Sequence, residues 1–144
     1  MTTETNIDRP IGYWLKRADE LITQHVDNAL REFGVTRFHW QAFNIIHDAE
    51  KITKAVLLEP MITFIDRSQL DLILADLESK GWIIYHDNPA EGSTWVELTE
   101  DGRVAYERLL RMQIEVRQRV AQGISEEEYL TTIRVLQKMV SNLE

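Results

Sequence analysis

Cysteine is absent from the 144-residue chain, which excludes disulfide frameworks, thiol nucleophiles, thiolate zinc sites and Cys-ligated clusters. Proline and glycine are scarce, at 3 and 6 residues, and no Pro-rich linker, low-complexity tract or repeat interrupts the chain. Long apolar runs are missing too. The stretch Ala55-Val56-Leu57-Leu58 falls far short of the ~20 residues a membrane helix requires. Met1-Thr2-Thr3-Glu4-Thr5 carries neither the basic nor the apolar segment of a secretory leader, so the expected location is the cytoplasm.

Chemistry-bearing motifs are equally sparse. There is no Gly-rich phosphate loop, no serine elbow, no His-Glu-x-x-His and no apolar-flanked carboxylate pair, so neither an enzyme nor a cofactor is expected. His39 and His47 stand eight positions apart, not the i, i+4 spacing of helical zinc pairs, and no metal site is expected. Positive charge is the scarcer sign, with 16 Lys and Arg against 24 Asp and Glu, a formal charge of −8. Residues 36–98 are the most acidic part, with 5 basic and 10 acidic residues. Bulk attraction to a polyanion is therefore not expected.

What the chain has in plenty is helical periodicity. Leu15, Ala18, Ile22, Val26, Ala29 and Phe33 form one apolar stripe, with Gly34 placed to end the helix. Thr36 caps a second helix, and Val35 can pack on Trp40 as a hydrophobic staple. A short third helix follows Thr53 and ends or kinks near Pro60. Asp66 and Gln69 form a capping box for a fourth, with Leu70, Ile73, Leu74 and Leu77 turned inward. Trp82–His86 and Thr94–Leu98 flank the turn-forming stretch 87–93 and read as a hairpin. Thr99 caps a long fifth helix with Ala105, Leu109, Met112, Val116 and Val120 on its stripe. Ser125 and Glu128 box the last, which carries Leu130, Ile133, Leu136, Val140 and Leu143.

Three helices and a hairpin describe a winged helix-turn-helix, in which the helix before the hairpin reads DNA. Several segments carry a more specific likeness: Gly34-Val35-Thr36-Arg37-Phe38-His39-Trp40-Gln41, Asp76-Leu77-Glu78-Ser79-Lys80-Gly81-Trp82-Ile83, Glu97-Leu98-Thr99-Glu100-Asp101-Gly102 and Ile124-Ser125-Glu126-Glu127-Glu128-Tyr129. In this order they resemble the multiple-antibiotic-resistance-regulator (MarR) family of winged-helix transcription regulators. The resemblance runs from about Ile11 to Leu143. It implies a single, mainly α domain with a small β-hairpin wing, in which 11–33 and 103–143 are dimerisation helices and 36–98 is the winged lobe. It also implies a homodimer acting on double-stranded DNA, with a small aromatic ligand held between the dimer helices and the lobe. The alternative is a winged-helix dimer that has lost ordinary DNA binding and serves as a protein- or ligand-binding module.

The candidate DNA contacts are Arg37, Lys54, Arg67, Ser68, Gln69, Leu72 and Lys80. Helix N-termini meet phosphates, Gln pairs bidentately with adenine, and Leu72 suits a thymine methyl. For Gln69 the competing role is its own cap. The candidate ligand residues are Trp14, His25, His39, Trp40 and Phe43, an apolar wall with a few polar groups. Two departures from the family pattern stand out. No Lys or Arg lies between Gly81 and Arg103, and Leu72 occupies a position where the family often has a basic residue.

Overall fold

The computed structural model describes residues 8–144, so the Met1–Thr5 segment lies outside the described residues. The elements run α1 (Ile11–Glu32), α2 (Arg37–Ala49), β1 (Lys51–Thr53), α3 (Lys54–Met61), α4 (Arg67–Ser79), β2 (Ile83–Asn88), β3 (Ser93–Leu98), α5 (Glu100–Val120) and α6 (Glu126–Leu143). This is a winged helix-turn-helix lobe flanked by long helices. Among the described residues, no helix is long and apolar enough to cross a membrane.

Local chemistry sets most of the boundaries. At the end of α1, Gly34 takes φ 71°. Its N–H donates to the Arg31 carbonyl, and the Val35 N–H reaches back to Leu30 at 3.2 Å, the paired bonds of a Schellman stop. Thr36, Asp66 and Ser125 each cap the helix that follows through a reciprocal box with His39, Gln69 and Glu128. Pro60 falls in the last turn of α3, one residue before the helix ends at Met61.

The wing contains one strand more than the expected hairpin. β1 pairs antiparallel with β3 through Lys51↔Glu97, Ile52↔Val96 and Thr53↔Trp95, giving the sheet order β1-β3-β2. Three residues are too few to show an alternating pattern in the sequence. The hairpin strands also reach further than expected, pairing down to Asn88↔Ser93.

The core is centred in the lobe. Phe43, Ile46, Leu57, Met61, Leu70 and Leu77 are fully buried there, and Leu30, Ala105, Tyr106 and Leu109 join them from α1 and α5. Gly102 explains why the Leu-Thr-x-x-Gly segment is spaced as it is. The Thr99 N–H donates to the Trp82 carbonyl at 3.0 Å, and the Thr99 hydroxyl donates to the Gly81 carbonyl. This pulls the start of α5 so close that a Cβ at position 102 would lie 2.0 Å from the Trp82 carbonyl oxygen.

Candidate nucleic-acid interface

The outer face of α4 carries Arg67, Ser68, Gln69, Asp71 and Leu72, all exposed. The apolar face beneath, Leu70, Ile73, Leu74 and Leu77, fixes the helix on the core. The candidate contacts Arg67, Ser68, Gln69 and Leu72 therefore share one accessible helix, three of them in its first turn.

The cations around that helix are mostly engaged within the protein. Arg37 Nε stands 3.1 Å from Asp27 of α1. Lys54, at the start of α3, pairs with Asp71 of α4. Lys80 lies 3.7 Å from Asp76 and its Nζ sits 5.7 Å from the centre of the Trp82 ring. Of the four candidate phosphate partners, Arg67 is the one with no ion pair among the described residues. These pairs are exposed and individually weak, about 0–1 kcal/mol each, but they place a carboxylate beside nearly every cation a phosphate would seek. Gln69 is occupied as well: its Oε1 accepts from the Asp66 N–H at 2.9 Å while its own N–H donates to Asp66 at 2.8 Å. An adenine contact would have to share or break that box.

The ligand candidates do not gather as expected. Trp14 is exposed near the start of α1, Phe43 is fully buried and Trp40 packs against the core. Tyr106 of α5 fills the space against α2. Its ring lies between Trp40 (5.3 Å, 19° between planes) and His47 (3.7 Å, 9°), with Phe43 against its edge at 5.8 Å. The Tyr106 hydroxyl donates to Asn44 Oδ1 at 2.7 Å, and burial raises its pKa. Tyr106 and Asn44 were not among the candidates. The spacing of Trp40 and His47, seven apart on one helix face, is the signal that a ring from elsewhere could slot between them.

His39 has a different task. Its Nδ1 accepts from the Thr36 N–H at 3.3 Å and lies 2.8 Å from the Thr36 hydroxyl, completing the α2 cap. Its Nε2 lies 3.0 Å from Asp76 Oδ2 on α4. One ring nitrogen thus completes the cap of α2 and the other ties α2 to α4. Burial lowers its pKa, outweighing the upward pull of Asp76. Of the five candidates, His25 lines a cavity, a groove of about 750 Å³ between α1 and α5, and none of the other four does so there.

No protein-family model matches the chain, and no curated protein matches it by sequence. Solved structures do match in fold. MarR from E. coli in its oxidized form superposes with a TM-score of 0.70 at 21% identity, covering 92% of this chain and 95% of that one. A mutant MarR from E. coli complexed with operator DNA gives 0.71 at 21% identity, covering 96% and 99%. A MarR-like protein from Bacillus cereus gives 0.75 at 16% identity, covering 95% and 98%. The fold is that of the MarR winged-helix regulators along nearly the whole chain.

Proposed function

We propose that the protein is a homodimeric, DNA-binding transcription regulator and not an enzyme, with α4 as its reading helix. The observation that carries this reading is the outer face of α4. Arg67, Ser68 and Gln69 stand exposed at a helix N-terminus, where backbone N–H groups and the dipole favour phosphate. They do so within a fold shared end to end with a MarR found on operator DNA. The dimer reading rests on the long helices, where α6 buries no residue of its own and a second copy is the simplest cover. An aromatic ligand, on this reading, enters between α2 and α5 by displacing the Tyr106 ring from Trp40.

Affinity has to come from groove contacts, because charge offers little. If Arg67 alone neutralises phosphate, a dimer engages two phosphates and the log–log salt slope is about −2. If Arg37, Lys54 and Lys80 all leave their carboxylates, eight are engaged and the slope approaches about −7. Selection of bound sequences from random duplexes, followed by a salt titration on the winner, measures this. A specific site with a slope nearer −2 is expected, and Leu72→Arg should tighten binding to any duplex. An empty selection at low salt would overturn the reading.

One observation favours a second reading, a lobe that binds protein in place of DNA. Leu72 is 72% exposed, and Ile62 and Phe64 before α4 are each 63% exposed, among paired cations. An empty DNA selection together with a partner lost on Leu72→Ser would establish it.

A further inference from the structure

Among the described residues, five take a positive φ: Gly34, Gly81, Gly92, Gly123 and Glu50. Four of these turns use the residue that adopts such a backbone without strain. The fifth holds a glutamate at φ 66°, ψ −52°, a conformation disfavoured for any side chain and found mainly where function demands it. Glu50 sits at the corner where α2 ends and β1 begins. There it lines a cavity of about 970 Å³ with Asp48, Lys51, Trp95, Glu97 and Arg103. A smaller hollow of about 500 Å³ lies against the same Lys51, Trp95 and Glu97.

The chemistry of this corner is that of an indole between charges of both signs. Trp95 is partly exposed on the outer face of the sheet, with Thr53 opposite it on β1 and His86 opposite it on β2. Lys51 Nζ stands 5.4 Å from the centre of its ring. Glu97 is held by His86 at 2.7 Å, and Asp48 by His47 at 3.0 Å. Three charged groups are left without a close ion pair among the described residues, Lys51 beside the Trp95 ring, Glu50 and Arg103. Glu50 has no ion pair among the described residues, and Arg103 has only a loose one, 3.9 Å from an exposed Glu100. An unpaired carboxylate, a loosely paired guanidinium with Lys51 nearby and an aromatic face together complement a molecule with an ammonium, a carboxylate and an apolar side chain.

We propose that the α2–β1 corner binds an aromatic α-amino acid as its zwitterion. The ligand carboxylate meets the Arg103 fork, its ammonium meets Glu50, and its ring packs on Trp95. The volume falls within the range of small-molecule pockets. The site lies apart from the outer face of α4 and from the apolar faces of α1 and α6, so it does not depend on DNA binding.

Isothermal titration calorimetry with L-phenylalanine tests it, beside N-acetyl-L-phenylalanine, L-phenylalanine amide and the remaining standard amino acids. The free amino acid should bind, and removal of either ligand charge should weaken binding at least tenfold. Arg103→Gln should weaken the amino acid while leaving the amide unchanged. Glu50→Gly gives the sharpest readout: relief of the strained turn should raise the melting temperature while binding is lost. The proposal is overturned if none of the amino acids gives heat at millimolar concentration. It is also overturned if the capped forms bind equally well, or if Glu50→Gly is stabilised and binds as before.

Discussion

Helix α4, with 13 residues, buries Leu70, Ile73, Leu74 and Leu77, whereas α6, with 18, buries nothing. Both are amphipathic and both open with a capping box. The difference lies in what the rest of the chain offers them. The lobe surrounds α4 with α2, α3 and the sheet, and its apolar face is covered from within. α6 meets no such surface, and Leu130, Ile133, Val135, Val140 and Leu143 remain exposed. One half of the molecule is thus closed by its own chain and the other is left open. The lobe's stability should accordingly be a property of the monomer, and that of the long helices a property of assembly.

The strongest test of that contrast is Phe43→Ala. Phe43 is fully buried, stacked on Trp82 at 5.5 Å and set against Tyr106. Its loss should cost about 3–5 kcal/mol, a large fraction of the stability a domain of this size has, and urea melts followed by circular dichroism would read it. Leu143→Ala, on the open face of α6 and 89% exposed within one chain, should leave the lobe's own melt within about 0.5 kcal/mol. Equal losses at the two sites would erase the distinction between them.

Next in size is Leu136→Glu combined with Val140→Glu. If the open face is a dimer interface larger than ~2,000 Å², two charges within it should raise the dimer dissociation constant at least about a hundredfold, which is roughly 2.8 kcal/mol. Light scattering would show monomers, while the near-ultraviolet signal of the Trp40–Tyr106 stack survives. A dimer that persists would mean another surface joins the copies. Loss of the near-ultraviolet signal with the dimer would mean the two halves fold as one unit.

A smaller effect is expected from Asp66→Ala, which removes the N-cap of α4 and should cost about 1 kcal/mol. The Gln69 side chain accepts from the backbone N–H of residue 66, a bond the variant keeps, so the side chain placed to read adenine stays where it is. If Gln69 reads a base, preference at that position should persist in the selected sequences even as the melting temperature falls.

The parts legible in the sequence were those written in local signals. The boxes at Asp66 and Ser125, the Gly34 stop and the apolar stripes depend on residues a few positions apart, and every one of them appears in the structure. β1 was not legible because three residues carry no period, and its pairing with β3 spans more than forty positions. The candidate phosphate contacts were readable as residues but not as pairs. Nothing near Arg37 in the chain announces Asp27 across the α1–α2 turn, nor does Lys54 announce Asp71. The ring between Trp40 and His47 was not legible for the same reason, since Tyr106 comes from the fifth helix.

The smallest expected effect concerns the seam within the closed half, and it has a definite sign. His39 is partly buried between α2 and α4, and burial holds its pKa below the ordinary value of 6.5. The geometry agrees: Nδ1 accepts from the Thr36 N–H, which a protonated ring cannot do. The folded protein therefore keeps His39 neutral in a range where the unfolded chain takes up a proton. This contribution to stability is fully present above pH 6.5 and is lost as pH falls from there through the lower folded pKa. Urea melts at pH 7.5 and 5.5, on the native protein and on His39→Gln, isolate it. Gln at the third helical position still closes a capping box, and the variant keeps His25, His47 and His86, so their titrations cancel in the comparison. The native protein should lose more stability on acidification than the variant does. An equal loss in both would show that Asp76 offsets burial and that the joint between the two helices is indifferent to pH, and a smaller loss in the native protein would show that Asp76 governs the ring.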